Sequence, residues 1–219
     1  MGEDKPDPDG TVRRRRKDAT RNREALIAAG RELFDAGGLA PTLDDVARRA
    51  GVGVGTAYRH FANKYELAQA VLADSVGDMV TAAELAATRE DGWTGLAEFF
   101  DAVLRPQASK RALREILRGA PDVAPWEEVH NRIETCIDTL LGRARHQGSI
   151  RPEVTATDIG VLCSLMGTLI DTFGGSDPQL WRRFLPIVLD GLRAGAPTPL
   201  PGEALGREQF LARLLHTES

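Results

Sequence analysis

Thr56, Tyr58, Arg59 and His60 place a hydroxyl, a phenol, a guanidinium and an imidazole within five consecutive residues, and Lys64 adds an ammonium one turn further on. On one face of a short helix, such groups hold phosphate oxygens and read base edges in a DNA major groove. The run itself predicts that helix. Ala57 and Phe61 recur four residues apart on the opposite, inward face, and Val54 and Gly55 lead into it. A second short helix precedes it: Thr42 is a good N-cap, and Asp44 and Asp45 fall in the first turn, where the helix dipole favours acids. Val46, Ala47 and Ala50 supply a small apolar face, and Gly51 stops the helix. Val52 is expected to be the buried residue of the turn, with Gly53 and Gly55 giving the sharp bend. Two short helices joined by a glycine turn outline a helix-turn-helix, whose second helix lies in the groove. The competing reading of Gly51, Gly53 and Gly55 is a nucleotide phosphate cradle. It fits poorly, because that fingerprint needs G-x-G-x-x-G after a strand, and an amphipathic helix precedes these glycines.

The charge distribution supports the same reading, although the 219-residue chain has a formal net charge of −4. Residues 11–64 carry 12 Lys or Arg against 6 acids, residues 65–219 carry 15 against 22, and residues 1–10 are net acidic. A basic head on an acidic body orients a molecule toward a polyanion. Residues 1–17 are expected to be a disordered arm, acidic and Pro-rich at first and then basic through Arg13, Arg14, Arg15, Arg16 and Lys17, with no apolar run of the signal-peptide kind. Placed just before a helix-turn-helix, such an arm tracks phosphates or lies in a minor groove.

The run Gly51, Val52, Gly55, Thr56, Tyr58, His60, Phe61 and Lys64 closely resembles the signature G-V-x-x-G-T-x-Y-x-H-F-x-x-K of the tetracycline-repressor (TetR) family of bacterial transcriptional regulators. The resemblance extends back through a helix over residues 20–36 and forward into a helix opening at Asn63. Beyond about residue 80, size and helical pattern alone agree with the family. Two positions depart from its pattern. Gly53 stands where the family commonly has a Ser-type helix cap, and Asp44 where some relatives use a basic base-reading residue. The resemblance implies a DNA-binding set of Arg13 to Arg16, Thr42, Val54, Gly55, Thr56, Tyr58, Arg59, His60 and Lys64, a homodimer, and a small-molecule effector.

Every periodic segment has a helical repeat, so the expected fold class is all-α. Residues 18–64 form the DNA-binding domain, 65–195 an effector-binding and dimerisation bundle, and 196–219 a linker with a short C-terminal helix. A long helix with Asn63 as N-cap and Glu66 in a capping box, running to about Ala87, is a natural lever between head and bundle. Further helices are expected over 92–104, around Leu113 to Leu117, from Trp126 to near Gly148, over 158–173 and over 179–194, with Pro186 kinking the last. The helices over 158–173 and 179–194 are apolar on more than one face and must be covered twice. Pairing with their symmetry mates as a four-helix bundle would do so, with Val161, Leu165, Trp181, Leu185 and Leu189 at the dimer interface. Phe100, Leu104, Trp126, His130, Ile133 and Met166, from helices that the resemblance puts around a central cavity, are the candidate effector-binding residues. Stripes like these are more often plain core, and His130 with Glu134 four residues on reads as a satisfied core histidine before it reads as half a metal site.

No apolar segment approaches the roughly 20 residues of a membrane span, so a cytoplasmic protein with no membrane partner is expected. Cys136 and Cys163 lack C-x-x-C spacing and read as reduced, buried thiols. No protease, hydrolase or P-loop motif occurs, and no catalytic residue, metal or cofactor is expected. The reading is a ligand-responsive repressor on a palindromic double-stranded DNA operator. A constitutive DNA binder and an all-α enzyme are the alternatives.

Overall fold

The computed structural model describes residues 8–119, 126–195 and 198–209, and the side chains of 17–117, 128–195 and 198–209. The regular elements among them are all helices: α1 (Pro8–Gly37), α2 (Leu43–Ala50), α3 (Val54–His60), α4 (Lys64–Ala87), α5 (Gly92–Ser109), α6 (Arg111–Gly119), α7 (Trp126–His146), α8 (Ala156–Phe173) and α9 (Trp181–Leu192). One isolated antiparallel bridge joins Ile150 and Arg193. The chain divides into two compact units between Val71 and Leu72, inside α4 and not at its start.

In the first unit, Leu26, Ala29 and Phe34 of α1 are buried with Leu43, Val46 and Ala47 of α2, Ala57 of α3, Phe61, and Leu67 and Ala68 of α4. Gly30 lets α1 and α4 approach closely, since a Cβ there would lie 3.1 Å from Val71 Cγ2. The start of α1 corrects the expected disordered arm. The helix extends back to Pro8, so residues 8–17 are helical and the backbone of Arg13 to Arg16 belongs to α1. A low apolar content suggested disorder, but Arg and Lys are good helix formers, and Pro8 in the first turn is already set for a helix. Adding turns to a helix anchored elsewhere requires no new nucleus. The side chains of Arg13 to Arg16, and residues 1–7, lie outside the described residues.

In the second unit, α5 packs on α7 and α8, α6 on α5 and α8, and α9 on α8. Gly92 and Gly95 set the approach of α5. A Cβ on Gly92 would meet the backbone of Ala144 in α7, 2.9 Å from its Cα, and one on Gly95 would meet Leu140 and lie 2.9 Å from the Ala86 carbonyl oxygen. α5 was expected to stop at Leu104 but runs through Pro106 to Ser109. Packing wins there: Phe99, Phe100, Val103, Leu104 and Gln107 form one buried stripe, which offsets the cost of an interior proline. α8 begins at a capping box, with the Asp158 amide donating to Thr155 Oγ1 and the Thr155 amide to Asp158 Oδ2. At 18 residues, α8 is also long and apolar enough by composition to cross a membrane, against the expectation that no segment is. Here it is one helix of a packed bundle.

The two apolar faces of α8 and α9 divide differently from the expected interface. Trp181, Leu185 and Leu189 are buried within the single chain, whereas Leu165, Phe173, Phe184 and Ile187 are exposed and Val161 is half-buried. A helix apolar all round gives no sign of which face meets its own chain.

Candidate functional sites

α2 is held by local chemistry. The Asp45 amide donates to Thr42 Oγ1 at 3.1 Å, and the Thr42 amide returns a bond to Asp45 Oδ2 at 3.0 Å. The Thr42 hydroxyl also donates to Asp45 Oδ2, at 2.6 Å, and this bond, followed by that of the Thr42 amide, holds the Asp45 carboxyl below its ordinary value. Gly51, at φ 67°, takes the left-handed C-cap and accepts no strain in doing so. α3 follows at once, with Gly53 as an N-cap that supplies no side-chain bond, in keeping with the departure noted at that position. α4 opens with Asn63 Oδ1 accepting from the amides of Tyr65 and Glu66, while the Glu66 carboxylate reaches past Asn63 to the Ala62 amide at 2.7 Å.

On this frame Ala57 is buried, while Val54, Gly55, Tyr58 and Arg59 are exposed and Thr56 and His60 are half-buried. The face of α3 therefore presents the side chains singled out for DNA contact. Arg59 Nε donates to the Gly55 carbonyl at 3.1 Å, which extends the guanidinium along the helix. Three side chains of the candidate set have other engagements too. The Asp44 carboxylate lies beside the Tyr58 hydroxyl, and this acceptor, with its negative charge, raises the phenol above its ordinary pKa. Thr42 is occupied by its cap. Lys64 Nζ donates to the Leu39 carbonyl at 2.9 Å, so this ammonium ties the loop before α2 to the start of α4. Asp44, discounted for base readout, is thus the acidic neighbour of the Tyr58 hydroxyl. Val52, expected to be buried in the turn, is half-buried.

The second unit holds a cavity of about 160 Å³. Its apolar wall comes from Met79 of α4, Val103, Leu117, Val129, Ile133 and Ile137. Of the six residues expected to line an effector site, His130 and Ile133 do so. Phe100 and Leu104 are fully buried core, with Phe100 edge-on to Phe99, and Met166 is buried off the cavity wall. The side chain of Trp126 lies outside the described residues.

The polar part of the wall was not foreseen. Gln107, Arg114, Glu134, Thr157, Cys163, Ser164 and Arg207 line it. Arg114 is buried, with Nε 2.6 Å from Asp171 Oδ1 and Nη1 donating to the Gln107 carbonyl, and burial lowers its pKa. Cys163, expected to be buried, is half-buried; loss of hydration at its sulfur still pushes the thiol up to about 12, which keeps it neutral. Burial likewise raises Cys136, which is off the cavity wall. Glu134, considered beside His130 as half a metal site, instead pairs with Arg207 at 2.9 Å.

Comparison with known proteins follows the division of the chain. Residues 26–71 match the family model described as bacterial regulatory proteins, tetR family, and residues 91–194 match that of the transcriptional regulator SbtR-like C-terminal domain. The chain is 32% identical over 170 residues to the HTH-type transcriptional regulator SrpR of Pseudomonas putida, covering 75% of each protein. It is 33% identical over 136 residues to the uncharacterised HTH-type regulator TtgW of Pseudomonas putida, covering 59% of this chain and 96% of that one. Among solved structures, a TetR transcriptional regulator from Streptomyces coelicolor aligns at 26% identity with a TM-score of 0.50, over 80% of this chain and 99% of that one.

Proposed function

Because the chain belongs to the TetR family of bacterial transcriptional regulators, we propose that it is a dimeric repressor, held on a palindromic operator by α3 and released by a small, largely apolar effector. As a transcriptional regulator it acts in the cytoplasm. The observation that carries the reading is the exposed face of α3. Tyr58 and Arg59 stand out from a helix whose Ala57 is fully buried, so the donors point away from the core on a rigid element. The residues before α4 are basic and those after it acidic, which favours one docking orientation.

A dimer is supported by the apolar face that a single chain leaves open. Leu165 and Phe173 of α8 and Phe184 and Ile187 of α9 are exposed together, and two such helices with their symmetry mates make a closed four-helix contact. Effector response is supported by the cavity, whose apolar wall and few polar groups are the usual make-up of a small-molecule site. Met79 on that wall belongs to α4, the helix that opens at Lys64. A ligand that favours one setting of α4 shifts operator affinity by its differential binding, typically about 1–3 kcal/mol.

Selection of DNA from a random pool by the full-length protein tests the proposal. The expected product is a palindrome with two half-sites about one helical turn, or a multiple of it, apart. Enrichment of a lone half-site would reject the dimer, and no enrichment would reject sequence-specific binding.

A further inference from the structure

The wall of the cavity includes one residue from outside α1 to α9, Arg207. After α9 the chain returns across the second unit, and two arginines tie it down. Arg151, a buried side chain, donates from Nη1 to the Gly191 carbonyl at 3.1 Å and from Nη2 to the Thr198 carbonyl. Further on, Arg207, in a single helical turn over 207–209, donates to Asn131 Oδ1 and pairs through Nε with Glu134 Oε2 at 2.9 Å. Asn131 and Glu134 lie one turn apart on α7, and Arg207 lines the cavity with His130 and Glu134.

We propose that residues 198–209 are a strap across the cavity, latched by Arg207 on Glu134 and Asn131. With the latch shut, the cavity takes a neutral, largely apolar molecule of about one aromatic ring, and larger ones enter only with the latch open. This inference rests on reading the cavity as the effector site.

Size and charge both support it. A volume of about 160 Å³ is close to the roughly 150 Å³ of an apolar cavity that holds benzene. Both arginines on the wall already have carboxylate partners, Arg114 with Asp171 and Arg207 with Glu134. A charged ligand would have to give up its hydration and either break one of these pairs or remain uncompensated, whereas a neutral one leaves both intact. Gln107, Thr157 and Ser164 on the same wall leave room for one polar substituent. The latch is of a kind that opens. Its two side chains are 48% and 32% exposed, and ion pairs at such sites are weak and screened by salt.

The test uses two neutral probes on the full-length protein, toluene and the larger fluorescent dye N-phenyl-1-naphthylamine. Toluene, which fits the cavity with the latch shut, is expected to raise the thermal midpoint of the wild type and the variants alike. The association rate of the dye should rise roughly two- to fivefold from low to high salt in the wild type, because the dye has no charge for salt to screen and the latch does. Arg207→Ala and Glu134→Gln should each raise the low-salt rate by the same factor and abolish the salt dependence, and the double variant should add nothing more. Glu134→Gln is isosteric and carries the test if Arg207→Ala loses helicity. Dye rates that are unchanged in the variants, or independent of salt in the wild type, overturn the strap while toluene binding preserves the effector cavity. If neither probe binds the wild type, the cavity is ordinary core and both readings fall.

Discussion

The helix-turn-helix and the cavity are built at different ranges along the chain. In the head, the bonds that set the frame are short: Thr42 with Asp45 and Asn63 with Glu66 span three residues each, and Arg59 with Gly55 four. Around the cavity they are long. Arg114 reaches Asp171 across 57 residues, Arg151 reaches Thr198 across 47, and Arg207 reaches Asn131 across 76. Short-range caps shape a recognition helix almost independently of the rest, so a head of this kind tolerates different bodies. A cavity made of distant segments is specified by packing throughout its unit, and small changes far from the wall alter it.

That contrast is sharpest at Gly92. With the Ala144 backbone in the way of a Cβ, Gly92→Ala should push α5 off α7 and cost about 1–3 kcal/mol in urea unfolding of the second unit. Operator contacts should be spared, and an unchanged midpoint would mean that α5 and α7 have slack. Arg59→Ala reverses the pattern: operator affinity should fall by about 1–3 kcal/mol, with relaxed preference at particular base pairs and unchanged thermal stability. Equal losses on operator and random DNA would reduce Arg59 to a phosphate contact.

Smaller effects fall on the caps. Thr42→Ala should cost about 1 kcal/mol, and it carries a pH signature. The folded Asp45 carboxyl lies below its ordinary 3.8 because of Thr42. Its contribution is therefore present above that pH and is lost as pH falls through the lowered folded value. The variant loses the share that the Thr42 hydroxyl supplies and keeps those of the Thr42 amide and Arg48, so its stability should fall less steeply on acidification below pH 3.8 than that of the wild type. Parallel acid profiles would remove Thr42 as the cause. Gly53→Ser is the mildest change. The backbone at φ −60° and ψ 137° suits an N-cap, and a Cβ would lie 3.8 Å from Thr56 Oγ1, an ordinary contact. A gain of about 0.5 kcal/mol is expected, and a loss would indicate that the turn depends on glycine.

The same difference in range explains what could be read from the chain. Caps and turns at Thr42, Gly51 and Asn63 are visible because partner residues are three or four apart, and the outward face of α3 follows from Ala57 and Phe61. Longer-range contacts escape such reading even in the head: the bond from Lys64 Nζ to the Leu39 carbonyl spans 25 residues and leaves no local signature. In the second unit, helical periodicity finds the stripes but not the void between them. Phe100, Leu104 and Met166 look the same as Ile133 in sequence, and packing alone decides which of them meets empty space. Arg114 reads as part of a charged face between Arg111 and Glu115, and Arg207 as part of a polar tail. Trp181, Leu185 and Leu189 share a helix with Phe184 and Ile187, so no local pattern tells the inner face from the outer.

The central claim, that the cavity and the α3 face are coupled sites of one switch, is tested most directly by reciprocal linkage. Toluene affinity of the full-length protein would be measured with and without saturating selected operator, and operator affinity with and without saturating toluene. The account predicts that each ligand weakens the other by the same factor, about 5- to 150-fold. Toluene that binds equally well to the free and the operator-bound protein would contradict it.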